Sequence, residues 1–296
     1  MDIESIGTGL AILGTAEVSK DAVQRMLAPT ADYIGAGVLQ STKAAVNTAR
    51  VLAKAARRLG SRIDDGGQIP PRVLKNLLDD APWIEDELMA EYLGGILASS
   101  FGDRLLDDRA VALQSTLQRL SSYAVRTHYL FYSQFYSLYR GKVRWARVYE
   151  DLENVHIVSD LRMYGPHEEY ADFLGVSYDD NYWPVLRHSF ASLEREDLLK
   201  VPDWGSREYL NRSLSDDGIP HTVPKDGFVY RTTVAGEELF LWALGRGDLD
   251  SSAFPDVDLA CEIEGISMPT GFARLEDLRV NKLSHETGGP CRPSQK

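Results

Sequence analysis

The cations of one stretch stand in the most ordered pattern of any residues here able to do chemistry. Residues 40–63 contain no acid, and Lys43, Arg50, Lys54, Arg57 and Arg58 fall at i, i+7, i+11, i+14 and i+15. That spacing puts them on one face of a helix, with Ala45, Leu52, Ala56 and Leu59 on the opposite face. Two readings fit the pattern. The stripe meets phosphates, anionic lipid or an acidic partner, or it is a solvated face partly paired with the chain's own acidic turn at 79–91. Its apolar side is mostly alanine, which makes a weak membrane anchor, so a membrane surface is not the expected partner.

A second constellation joins aromatic and basic residues. Tyr132, Phe135, Tyr136 and Tyr139 keep helical spacing and are followed by Arg140, Lys142, Arg144 and Arg147. Rings at that spacing ordinarily pack as a core or an interface. Beside cations they also suit stacking on bases, so nucleic acid stays open as a partner without being favoured.

The remaining reactive residues form no catalytic set. The histidines are His128, His156, His167, His188, His221 and His285, and the two cysteines, Cys261 and Cys291, have no metal-ligand spacing. Neither a nucleophile elbow nor a zinc-binding helix motif is present, and no glycine-rich phosphate loop occurs. The expectation is a protein that is not an enzyme and holds no cofactor or metal.

The elements that would position these groups are mostly helices. Around residues 68–101, Pro70 and Pro71 suit the first turn of a helix carrying Val73, Leu74, Leu77 and Leu78. Asp79, Asp80 and Pro82 then restart the chain. Glu85, Asp86 and Glu87 fall where the next helix dipole favours anions. That helix carries Leu88, Met89, Tyr92, Leu93, Ile96 and Leu97, and Gly94 and Gly95 inside it suggest close approach of another helix. Asp107 and Asp108 are N-cap candidates for a helix expected to run on through residue 139.

With PTADYIG, the Ala/Arg-rich run ending ARRLG, IPPRVLKNLLDDA and DELMAEYLGGILASSF, residues 25–102 resemble the bacterial Abi-alpha (abortive infection alpha) family. The later TTVAGEELFLWALG resembles that family's C-terminal segment, while residues 103–180 and those after Arg246 depart from the pattern. The resemblance implies a non-enzymatic antiviral defence protein that responds to phage infection and limits its spread, acting through protein contact or self-association.

Residues 145–246 read as a winged-helix-like module. Trp183, Leu186, Phe190 and Leu193 make a helical stripe, and residues 198–201 a short strand. Residues 202–226 make a polar wing, Phe228, Val229 and Tyr230 a return strand, and Thr233 caps a last helix. Arg187, His188 and Arg195 are the residues that such a module would offer to DNA. Residues 179–197 nevertheless carry a net charge of −3, which repels phosphates. A DNA-binding regulator is therefore the alternative to a protein-contact module, and a membrane-acting effector using the N-terminal arm is the weaker one.

Charge alternates along the chain: +3 over residues 1–63, −6 over 64–101, +5 over 102–149 and −11 over 150–245, within a total of −12. Alternation favours pairing between segments over one nucleic-acid face. The run at 5–16 is too short to span a bilayer and lacks a basic leader, which points to the cytoplasm. The reading is a mainly α protein: a helical arm (1–66), a helical body (67–144), the winged-helix-like α+β module with a small β wing (145–246), and an acidic, largely disordered tail (247–296) suited to masking the arm.

Overall fold

The computed structural model describes residue 26 and residues 42–103, 107–141, 161–215, 221–251, 254 and 257–279. The run at 5–16, the PTADYIG stretch, Lys142, Arg144, Arg147, His156, His285 and Cys291 lie outside these residues. The chain is mainly helical with a small antiparallel sheet.

Helix α1 (Thr42–Leu59) buries Val51, Leu52, Ala55, Ala56 and Leu59. The stretch expected as an arm is thus an interior helix, because its small alanines allow close packing against α3 (Glu87–Ser99). Between them run α2 (Pro71–Asp80), started by its proline, and a 3₁₀ turn at Ala81–Trp83. Asp86 caps α3, accepting from the Met89 N–H at 2.9 Å.

The helix expected to run unbroken to residue 139 is two helices, α4 (Ala110–Gln118) and α5 (Ser122–Tyr139). Asp107 and Asp108 do not cap the first, which has no side-chain cap. Ser121 does cap the second, accepting from the Ala124 N–H at 3.2 Å. A serine oxygen that can satisfy a free helical N–H favours a new start over continuation.

Helix α5 is the hub of the fold, and aromatic residues line it on several sides. Phe131 stacks on Tyr230 of the sheet at 4.0 Å between ring centroids. Tyr132 stacks toward Phe240 of α9 (Val234–Ala243), and α7 (Tyr182–Arg195) brings Phe190 against Phe131.

The sheet has the order β2–β3–β1–β4, antiparallel throughout, with β1 at Met163–Pro166, β2 at Lys200–Gly205, β3 at Gly227–Arg231 and β4 at Ala273–Arg274. Helix α6 (His167–Leu174) follows β1 directly. The β2–β3 register shifts between Lys200 and Asp203, where Pro202 cannot donate a ladder hydrogen bond.

Two expectations differ from this architecture. The polar stretch 202–226 includes helix α8 (Arg207–Ser215), whose Leu210 and Leu214 pack with Val223, Val229, Tyr164 and Leu275 in a small second core. Apolar residues four apart next to Ser206, which accepts from the Tyr209 N–H, suffice to start it. Residues 257–279, expected to be extended or disordered, form a strap packed on the body. Leu259, Ile263, Phe272 and Leu275 are buried, and Tyr129, Gln134 and Tyr136 of α5 donate to the carbonyls of Cys261, Pro269 and Val257 at 2.7 Å each.

Candidate interaction surfaces

The basic stripe of α1 faces inward onto Glu91 of α3. Lys54, Arg57 and Arg58 all pair with the Glu91 carboxylate, and Lys54 also reaches Glu87. Arg58 donates to the carbonyl of Leu244 at 3.2 Å and Arg62 to that of Gly245 at 3.0 Å, so two guanidiniums also cap the C-terminal end of α9. Arg50 donates to the Ile84 carbonyl and to Asn47, and Lys43 pairs with Glu85 at the exposed end. Burial pushes the Glu91 carboxyl up, but the Lys54 hydrogen bond and the charges of Arg58, Lys54 and Arg57 outweigh it, leaving it below its ordinary value. All five cations therefore have partners within the chain, on α3 and the turn before it and not on the tail strap.

The aromatic constellation is interior. Tyr132, Phe135, Tyr136 and Tyr139 are buried. Tyr132 donates to the Leu198 carbonyl at 2.8 Å and accepts from the Thr233 N–H at 2.9 Å, while His128 stacks on its ring at 4.3 Å. Phe135 packs on Tyr139 and Phe254. Arg140 lies over the Tyr136 ring and pairs with Asp258 at 2.8 Å. No ring of this set offers a free face to a base.

On α7, Arg187 and His188 are exposed, with the Arg187 guanidinium over the Trp204 ring at 5.9 Å. His188 Nε2 lies 2.9 Å from the Ser121 hydroxyl. Arg195 meets Glu196, which also accepts from Nε and Nη2 of the Arg119 guanidinium. Of the residues named for DNA contact, Arg195 sits beside a carboxylate, Arg187 over a ring and His188 against a hydroxyl.

The accessible feature missed in the sequence is a row of rings beside α7. Tyr178 is 44 % exposed and Trp204 39 %, with half-buried Trp183 between them at 6.2 and 6.0 Å. Beneath the row, His167 Nδ1 meets the Tyr182 hydroxyl at 2.6 Å, and burial pulls the imidazole down to about 4. These rings belong to three different stretches, so no periodicity gathers them; Trp183 and Trp204 could be found only as large apolar residues in polar surroundings.

Two buried titratable groups lie where α9 meets α5. His128 Nε2–H donates to the Gly236 carbonyl at 3.1 Å and Nδ1 accepts from the Tyr92 hydroxyl at 2.8 Å; burial pulls it down to about 3. Burial pushes the Glu237 carboxyl up to about 8, against a hydrogen bond from Thr232. The Cys261 thiol is pushed up to about 12 by burial, which leaves it a poor nucleophile.

Among the described residues no group of three His, Cys, Asp or Glu side chains could hold a metal ion, and no helix is long and apolar enough to cross a membrane. Comparison with protein-family models, with curated proteins and with solved structures finds no match to the chain.

Proposed function

We propose that this chain is a non-catalytic interaction protein whose module around α7 contacts another protein, and that it serves in bacterial antiviral defence of the abortive-infection type. The observation that carries the contact reading is the ring row, with Tyr178 and Trp204 exposed and Trp183 half-buried between them, beside Arg187, which lies over Trp204, and Arg195, which pairs with Glu196. Exposed aromatics gathered in one patch are the usual anchors of protein interfaces. The defence setting rests on the Abi-alpha resemblance of residues 25–102 and 232–245, and the cytoplasm is the compartment that setting requires.

The finer architecture supports a winged-helix reading of the module. Helix α5, strand β1, helices α6 and α7, then β2 and β3 follow the order of a winged helix, with β3 between β2 and β1 and α7 in the recognition position. The same position, with Arg187 and His188 exposed, favours a second reading as a DNA-binding regulator. Carboxylates at Glu194, Glu196 and Asp197 weigh against it.

The test is a phage panel on a bacterial host with and without the gene, at low and high phage-to-cell ratios. Survival at low ratio with collapse at high ratio is expected, and Trp204→Ala combined with Tyr178→Ala is expected to lose it while circular dichroism stays unchanged. No protection, with a salt-dependent gel shift of genomic fragments, would replace this reading with the regulator.

A further inference from the structure

An open pocket of about 470 Å³ lies between the end of α2, the 81–84 turn, α3 and α4. Its size falls within the range of small-molecule sites, roughly 300–1,000 Å³. Ile84, Met89, Leu93, Leu117 and Leu120 line it, and Trp83, 82 % exposed, adds a ring face. Met89 supplies an unbranched, polarizable wall that adapts to shape.

Of the three polar residues in this lining, Asp80, Gln114 and Gln118, only Gln114 is buried. Gln114 is fully buried and lines the pocket; its Nε2 donates to the Val73 carbonyl at 3.1 Å, which fixes which end of the amide is oxygen. Oε1 is buried with no hydrogen-bond partner. A buried acceptor left without a donor is costly, so a donor brought to it is strongly discriminated from an apolar isostere. The one formally charged lining residue, Asp80, accepts from the Gln118 amide and repels an anion.

We infer that this pocket binds a small neutral apolar molecule carrying one O–H or N–H donor, such as an aromatic alcohol. The donor meets Gln114 Oε1, and the hydrocarbon body lies against Met89, Leu93, Leu117 and the Trp83 ring. This site is independent of the ring row on α7 and of the defence reading.

The test uses the full chain with p-cresol, p-xylene of nearly the same shape, and the anionic 4-methylbenzoate, by titration calorimetry. p-Cresol should bind about tenfold more tightly than either of the others, the equivalent of one net hydrogen bond. Gln114→Leu should erase the preference of cresol over xylene. Trp83→Ala, at an exposed position that leaves the fold intact, should weaken cresol severalfold and serves should Gln114→Leu fail to fold. Equal binding of cresol and xylene to the unaltered chain, no cresol binding at millimolar concentration, or cresol binding indifferent to Trp83→Ala would each overturn the proposal.

Discussion

A β-carbon placed on Gly95 would lie 1.7 Å from the carbonyl oxygen of Ala243, so α3 and α9 touch backbone to backbone at this point. One residue earlier, a β-carbon on Gly94 would lie 2.8 Å from the Lys54 β-carbon, on α1. The adjacent glycines thus admit two different helices to α3. Gly95→Ala gains roughly 1 kcal/mol of helix propensity but must push a backbone away, at about 3 kcal/mol or more. Urea denaturation should show a net loss of about 2 kcal/mol or more from these two terms, whereas Gly102→Ala, with open space around it, should be near neutral.

Glu91 holds Lys54, Arg57 and Arg58 together, and Lys54 is itself buried. Removing the common carboxylate leaves the buried Lys54 and the half-buried Arg58 short of a counter-charge, so Glu91→Leu should cost about 3–5 kcal/mol. Because the Glu91 pKa is lowered on folding, its contribution is present above the ordinary carboxyl value of 4.5 and fades as pH falls below it. Denaturant midpoints at neutral and acidic pH, for the unaltered and substituted chains, should converge at low pH.

The buried histidines and Glu237 oppose each other in pH. His128 and His167 fall from 6.5 to about 3 and about 4 on burial, so their contribution is present above 6.5 and is lost as pH falls. Glu237 rises from 4.5 to about 8, so its contribution is present below 4.5 and is lost as pH climbs to about 8. Two histidines outweigh one carboxyl between these ranges, which sets maximum stability near pH 6.5. Glu237→Gln should flatten the descent from there to about pH 8, read from urea midpoints across that range.

Tyr132→Phe separates core from binding surface. The hydroxyl serves the Leu198 carbonyl and the Thr233 N–H, so its loss leaves buried backbone groups unmatched and should cost about 1–3 kcal/mol. Binding to single-stranded nucleic acid, measured by fluorescence anisotropy, should be the same for both chains. A fall in binding without a fall in stability would restore the base-stacking reading of this helix.

The amino-acid sequence by itself determined the local elements. Pro71 starts α2, Asp86 caps α3, Thr233 caps α9 by accepting from the Gly236 N–H, and the paired glycines announce a close contact. These signals lie within a few residues of what they specify, because caps and propensities act through the nearest backbone groups. Tertiary structure alone decided the partners. The spacing of Lys54, Arg57 and Arg58 makes a basic face but not that it closes on Glu91, more than thirty residues away. The rings of α5 show helical period, yet whether they meet solvent or the carbonyls of residues 257–269 depends on where the tail runs. Strand β1 pairs with β3 across more than sixty residues, and four short residues carry too little pattern to announce it. Packing and long-range hydrogen bonds depend on which surfaces meet, and the local spacing of one segment leaves that choice open.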